Sequence, residues 1–123
     1  MRKGVVVCGA NGERGHLMEM AIAEFAPRNV SKIVQFSACT VGLSPIMLQM
    51  SGVEMSALIS VNGCRQRCCD RIMERAGLKP ERSIVIDDVI GRELAPCKTV
   101  AEPSSSATKE EASTFAKAME KAL

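Results

Sequence analysis

The chain has almost no aromatic side chains: its 123 residues include three Phe and neither Trp nor Tyr. Without aromatic rings there is little from which a base-stacking surface or an aromatic binding hot spot can be built. The formal net charge is only +2, which is too small for the extended basic surface that nucleic-acid binding requires. The sequence therefore predicts a protein with an aliphatic core and no nucleic-acid partner.

Long apolar runs are also missing. The Met-rich segment 43–55 is interrupted by Pro45 and Gly52 and is shorter than the roughly 20 residues that cross a bilayer. The N-terminal residues lack the apolar stretch of a secretory signal. Six Cys in 123 residues are fewer than in small domains held together by disulfides. We therefore expect one domain, residues 1–123, with no membrane partner, in the reducing cytoplasm, with thiols that are free or metal-bound.

Short β-branched runs alternate with helical patterns along the chain. Strands are predicted over residues 4–8, 31–38, 56–61 and 83–86, each ended by Gly, Pro or polar residues. Helices are predicted over residues 17–25, 45–52, 64–76 and 108–123, the last with Thr108 and Glu111 spaced as a capping box. This alternation predicts a three-layer αβα sandwich around a four-stranded, mostly parallel sheet of Rossmann-like or flavodoxin-like type, with strand order 2-1-3-4. Residues 92–107 are predicted to be a surface loop.

Three cysteines, Cys8, Cys39 and Cys64, stand where predicted strands end. The carboxyl ends of parallel strands lie at one edge of the sheet, so these side chains should approach one another. Cys68 is four residues beyond Cys64, which is about one helical turn. Four thiolates are typical of a closed zinc site, whereas three thiolates leave a position for water or substrate. There are two alternatives to zinc: the four cysteines could hold an iron–sulfur cluster, or the protein could bind no metal at all.

The remaining cysteines and the single histidine are predicted to lie outside the site. On a helix that contains Cys68, Cys69 points about 100° away and is predicted to be core. Cys97 is interpreted as an incidental thiol in the surface loop, and His16 as a residue on a helix surface. The Met-rich segment 46–55 is interpreted as core or as an adaptable interface, and core is favoured.

A different reaction is indicated by Cys8 and Arg14, which are separated by five residues between a predicted strand and helix. In such a loop the backbone amides bind a phosphate, the arginine binds it through two hydrogen bonds, and the thiolate attacks phosphorus. With Asn11 three residues after the cysteine, this segment resembles low-molecular-weight tyrosine phosphatases and arsenate reductases. Glu13 departs from that pattern, because it puts an acidic side chain beside the anion. Asp87 is the candidate general acid of this alternative.

The segment NGCRQRCCDRIMERAGLKPERSIVIDDVIG, which starts at Asn62, resembles the DGC-domain family of zinc-binding proteins, as do the loops that begin at Cys8 and Cys39. The resemblance covers residues 4–91 and implies that zinc is held by Cys8, Cys39, Cys64 and Cys68. It supplies no reaction. The family's Asp is Asn62 here; an amide still caps a helix, but it brings no carboxylate to the site.

Polar side chains close to these cysteines are candidates for supporting the metal or an anionic small-molecule ligand. Four thiolates around Zn²⁺ carry a net charge of −2, which the cations of Arg14 and Arg65 would offset. Asn11 and Asn62 complete this supporting set. The arginines at 71 and 75 are interpreted as part of a solvated helix face. No oligomeric state is predicted from the sequence.

Overall fold

The protein is built around a parallel sheet of four strands in this computed structural model, which describes residues 2–8, 12–96 and 108–123. The strands are β1 (Arg2–Val7), β2 (Ile33–Ser37), β3 (Val53–Asn62) and β4 (Arg82–Val85). Their order across the sheet is β2-β1-β3-β4, and every neighbouring pair is parallel. The predicted α/β class, parallel sheet and 2-1-3-4 order are confirmed.

Helices cover both faces of this sheet. They are α1 (Gly12–Arg28), α2 (Ala38–Leu43), α3 (Ile46–Met50), α4 (Cys68–Arg75), α5 (Ile86–Ile90) and α6 (Lys109–Ala122). Along β1, Val5 and Val7 belong to a core shared with α1, α5 and α6, whereas Val6 belongs to a core shared with α2, α3 and α4. The predicted three-layer sandwich is therefore confirmed. Within the described ranges, no helix has both the length and the apolar character needed to span a bilayer.

The C-terminal helix has the predicted start. The Thr108 hydroxyl accepts a hydrogen bond from the Glu111 N–H at 3.1 Å, and the Glu111 carboxylate accepts one from the Thr108 N–H at 3.1 Å. This reciprocal pair satisfies two N–H groups that a helix end leaves without partners. Of the predicted loop 92–107, residues 97–107 lie outside the described residues, and so does Cys97.

The structure corrects three local predictions. Residues 38–43, predicted to be the last residue of a strand and the break after it, form α2, because the Ser37 hydroxyl accepts the Thr40 N–H and caps the helix. The helix predicted over 64–76 begins only at Cys68, since Arg67 at its N-cap has φ 55°, a left-handed conformation that cannot continue a helix backward. Ile86, predicted to be the last residue of a strand, begins α5.

The Met-rich segment was predicted to be mainly core, and this is wrong for most of α3. Leu48 is fully buried, but Ile46, Met47 and Met50 are 59%, 42% and 79% exposed. Residues 46 and 50 are four apart and therefore lie on one side of α3, away from Leu48. Helix α3 contributes only Leu48 to the core, whereas Val53 and Met55, which follow it in β3, do pack there as predicted.

Candidate metal centre

The four cysteines that sequence reasoning selected all follow strands at the carboxyl edge of the sheet. Cys8 comes directly after β1, and its backbone N–H donates to the Val61 carbonyl of β3 at 2.9 Å. Cys39 is the second residue of α2, immediately after β2, and is exposed. Cys64 follows β3 by two residues, and Cys68 is the first residue of α4. Cys8, Cys64 and Cys68 are half-buried.

Strands β1 and β3 lie side by side although β2 comes between them in sequence. Connections from β1 and from β3 leave toward opposite faces, through α1 and α4 respectively. In open parallel sheets, such a point is where a crevice opens at the carboxyl edge and ligands bind. Cys8 and Cys64 stand on its two sides. The fold thus places two of the selected thiols at the position that ligands use in this architecture.

Helices α2 and α4 carry the other two thiols and pack closely against each other. A Cβ added at Gly42 would lie 2.8 Å from Cγ2 of Ile72, so only glycine allows the observed approach. Gly42 is three residues beyond Cys39, and Ile72 is four residues beyond Cys68. Residues at these spacings share one side of a helix. The contact therefore joins the helix faces to which Cys39 and Cys68 belong.

Across residues 2–8, 12–96 and 108–123, no three His, Cys, Asp or Glu side chains lie close enough together to hold a metal ion. The four thiols share an edge without forming a ligand set. Their assignment as zinc ligands therefore stays a prediction. His16 is exposed on α1, and Asn11 is not among the residues that the structure describes.

Cys69 belongs to the core, as predicted. Its side chain is fully buried, and its thiol donates to the Val6 carbonyl of β1 at 3.3 Å. Burial raises the pKa of the Cys69 thiol to about 11, because the thiolate would lose its hydration. Cys69 is therefore a neutral thiol at physiological pH and does not resemble a metal ligand.

Asn62 caps α4 from the end of β3. Its side-chain carbonyl accepts the Asp70 backbone N–H at 3.3 Å, while its amide donates to the Ile84 carbonyl at 3.2 Å and to the Asp70 carboxylate at 3.2 Å. Asn62 has no exposed surface, so these contacts are made away from solvent. Asn62 was predicted to cap a helix that starts near Cys64; instead the N-cap of α4 is Arg67, and Asn62 accepts the N–H of the third helical residue from outside the helix. An aspartate could not donate the two amide hydrogen bonds.

Sequence reasoning missed Asp70, which connects Asn62 to β4. Its carboxylate accepts a 2.6 Å hydrogen bond from the Ser83 hydroxyl and one from the Arg67 guanidinium at 3.3 Å. Burial alone would raise the pKa of Asp70, but hydrogen bonds from Ser60, Ser83, Asn62 and Arg67 outweigh it and hold the pKa below its usual value. An acidic residue in the first turn of a helix was the available signal.

The segment between Cys64 and Cys68 is a turn. The Arg67 N–H donates to the Cys64 carbonyl at 3.1 Å, and Arg67 itself is the one residue other than glycine, among those described, with a positive φ. A left-handed arginine costs conformational energy that the surrounding contacts must offset. The predicted supporting residue Arg65 is exposed and pairs with Asp88 at 3.0 Å. Arg65 therefore connects this turn to helix α5.

Arg14 is fully engaged within the protein. It is 4% exposed, and its guanidinium donates to the carbonyls of Gly63, Leu94 and Ala95 at 2.7 to 2.8 Å. Its two remaining N–H groups form a bidentate pair with the Asp87 carboxylate. An arginine has five N–H donors, and these contacts use all five. A phosphate in the loop after Cys8 would have to displace them, which argues against the anion-binding role predicted for Arg14.

Asp87, the candidate acid of the phosphatase alternative, is 1% exposed. Burial raises its pKa, but the hydrogen bonds from Arg14 and from the Leu94 N–H outweigh burial, so the pKa lies below its usual value. An acid catalyst needs a proton at neutral pH and access to the leaving group. Glu13 is also engaged elsewhere, pairing with Arg92 at 2.8 Å. These contacts give Arg14 and Asp87 a structural role.

The fold and this edge define an α/β protein with cysteines at the carboxyl edge of its parallel sheet. The sequence profile of the DGC domain matches residues 4–118, and the chain belongs to the DGC-domain family. The match extends beyond the resemblance over residues 4–91 and includes most of α6. No curated protein and no solved structure matches the chain.

Proposed function

We propose that this protein binds one zinc ion through the thiolates of Cys8, Cys39, Cys64 and Cys68. The observation that carries the proposal is their position: each follows a strand at the same edge of a parallel sheet. Cys8 and Cys64 flank the point between β1 and β3 where ligands bind in such sheets. Thiolates are ligands that zinc favours in four-coordinate structural sites.

Zinc binding requires the four thiols to close on the ion from the positions they have in this structure. Structural zinc sites supply folding energy, so movement of short segments upon binding is expected. The turn that ends at Arg67 and the short helix α2 carry two of the four sulfurs, those of Cys64 and Cys39, and both are small units with few internal hydrogen bonds. The contact of Gly42 with Ile72 keeps the two helix faces together before the ion arrives.

The proposed role is structural or metal-handling, and it includes no reaction. Four thiolates fill a tetrahedral zinc, leaving no position for substrate. The phosphatase alternative loses support because Arg14 and Asp87 satisfy each other. Free thiols suit a reducing compartment, so we place the protein in the cytoplasm. Besides the metal, the other ligand that we propose is an anionic small molecule, which would contact the exposed side chain of Arg65.

The proposal is tested by measuring metal per chain with plasma mass spectrometry on protein purified anaerobically, with reductant and without chelator. We expect about one zinc per chain, as for a single closed site. Serine variants of Cys8, Cys39, Cys64 and Cys68 should each lose most of the zinc and part of the stability.

Two variants serve as controls. Cys97→Ser changes a cysteine that we exclude from the site, and Cys69→Ala changes a buried one that donates to Val6. Both should keep a full complement of zinc, although Cys69→Ala should lower the melting temperature. Absence of metal from the wild-type protein, together with no uptake of added zinc, contradicts the proposal. Iron and sulfide in place of zinc would assign the same ligands to an iron–sulfur cluster.

A further inference from the structure

A second surface of the protein is apolar and exposed. Leu43, Ile46, Met47 and Met50 are 89%, 59%, 42% and 79% exposed. Within the described ranges only Val30, at 69%, is another large apolar side chain that is exposed. These four residues lie on consecutive short helices, α2 and α3, and we call them the α2–α3 patch. Large exposed apolar side chains on a soluble domain are usually scattered singly, so a cluster marks an interaction surface.

The geometry of α3 explains why the patch is continuous. Met50 is four residues from Ile46 and three from Met47, so these side chains share one side of the helix, whereas Leu48 points into the core. The Met47 N–H donates to the Ser44 carbonyl at 3.1 Å, and the Leu48 N–H donates to the Pro45 carbonyl at 3.2 Å. These bonds hold the start of α3 directly against the end of α2, where Leu43 lies.

Charge determines which partner fits. The sequence from Ile33 to Val53 contains no Asp, Glu, Lys, Arg or His, and it is flanked by Lys32 on one side and Glu54 on the other. A two-fold interface places the same residues of two copies against each other, so any charge near its axis would meet its like. An uncharged apolar patch can therefore face its own copy without repulsion between like charges. A lipid surface is usually met by basic residues around an apolar face; this stretch has none, and the exposed residues of the neighbouring helix α4 carry both signs, with Glu74 between Arg71 and Arg75.

The size of the patch sets the strength of the interaction. Four such side chains form a patch on the order of 400 Å². Two copies that pair through it and its rim would bury on the order of 1,000 Å² in total, which is at the lower end of specific interfaces. Flexible methionine side chains adapt to each other at such contacts, and methionine is enriched in interfaces.

We propose that the α2–α3 patch is the interface of a weak two-fold dimer of this chain. The proposal does not depend on metal binding. Each side chain of the patch occurs twice in the dimer, so a single substitution changes the interface at two places.

The test is sedimentation equilibrium of the full chain, kept reduced so that no disulfide links two copies, at low to high micromolar concentration. We expect a reversible monomer–dimer equilibrium in the wild-type protein. Met50→Glu should raise the dimer dissociation constant by at least about tenfold, because two new carboxylates are brought together in an apolar contact. Val30→Glu is the matched control: it introduces the same charge at an exposed apolar residue outside the patch and should leave the constant unchanged.

Three results would overturn the proposal. The first is a wild-type protein that stays monomeric at every concentration. The second is a dimer that Met50→Glu and Val30→Glu weaken equally. The third is a monomer that floats with neutral phosphatidylcholine vesicles and loses this binding in Met50→Glu, which would assign the patch to a lipid surface. Circular dichroism of each variant establishes that the fold is retained.

Discussion

The two faces of the sheet are built differently. Among the residues that the structure describes, α1, α5 and α6 on one side, which we call the scaffold face, share a core of 16 buried apolar residues with the strands. On the other, the thiol face, α2, α3 and α4 share a core of nine. The scaffold helices α1 and α6 have 17 and 14 residues, whereas no helix of the thiol face exceeds eight. More buried apolar area means more stabilisation from the hydrophobic effect, so the scaffold face should unfold last.

The polar contacts divide in the same way. The scaffold face holds the buried pair of Arg14 with Asp87 and the Arg92 guanidinium, which bridges Glu13 and Glu111 at 2.5 to 3.1 Å. The thiol face has a left-handed residue, exposed apolar side chains and all five described cysteines on or beside it. The larger core and the buried ion pair thus lie on the scaffold face, and under the proposed function the less stable thiol face is the one that rearranges around the metal.

The largest expected effect is on the scaffold face. Arg14→Met leaves the Asp87 carboxylate buried without its cation, which should lower the free energy of unfolding by about 3 to 5 kcal/mol. Arg65→Met is the matched control, because it removes an exposed partner of Asp88 and should cost at most about 1 kcal/mol. Urea denaturation of both variants measures the difference. Equal losses would mean that the buried pair does not anchor the scaffold face.

The same pair predicts a pH dependence. Its contacts hold the pKa of Asp87 below the usual value, so the stabilisation is complete above the unfolded-state pKa of about 3.9 and is lost as the pH falls through the folded-state pKa. In Arg14→Met, burial without the cation raises the pKa of Asp87, so the difference in stability between wild type and variant should narrow as the pH falls through that raised value and shrink further below about pH 4. A difference that persists unchanged at low pH would contradict this assignment.

A smaller effect is expected where the thiol face meets β4. Asn62→Asp removes two amide donors and places a second carboxylate beside Asp70, which should cost about 1 to 3 kcal/mol at neutral pH. Repulsion raises the pKa of one member of such a pair, so stability should be regained as the pH falls through that raised value. Adding Asp70→Asn should restore much of the loss at neutral pH. Failure of this second substitution to help would mean that charge repulsion is not the cause.

The smallest expected effect tests the packing behind Cys39 and Cys68. Gly42→Ala puts a methyl group against Ile72, and overpacking outweighs the better helix propensity of alanine by about 1 kcal/mol. In an Ile72→Ala background, the same change should be neutral or stabilising, because the opposing methyl is gone. Thermal denaturation of the wild type, the two single variants and the double variant measures the coupling free energy between residues 42 and 72. Additive effects would contradict the close contact of α2 with α4.

The regular parts of the fold were predictable, and the irregular parts near the site were less so. Strand order follows from alternating short strands and helices, because parallel connections leave few topologies. The helix at Ala38 was obscured by Gly42 and Pro45, although Ser37 and Thr40 carry the capping signal. The left-handed Arg67 could not be foreseen, since it depends on tertiary contacts with Asp70 and Ser83.

The sequence was sufficient to predict which residues belong to the candidate site, but not how their side chains are arranged in space. Strand ends place Cys8, Cys39 and Cys64 at one edge, but the sequence does not contain the side-chain directions that form a ligand set. The pairing of Arg14 with Asp87 joins residues 73 apart, and no local pattern announces it. The spacing of Cys8 and Arg14 resembles that of a phosphate-binding loop. In this protein, however, the Arg14 guanidinium donates its hydrogen bonds to buried protein groups, so the spacing does not indicate a phosphate site.

The central claim, that the thiol face binds zinc through four named cysteines, is tested most directly by the alkylation rate of each cysteine with and without zinc, read by peptide mass spectrometry. We predict that stoichiometric zinc slows alkylation of Cys8, Cys39, Cys64 and Cys68 together, while Cys97 reacts at an unchanged rate. If those four cysteines react equally fast with and without zinc, the assignment of a metal centre to this edge is contradicted.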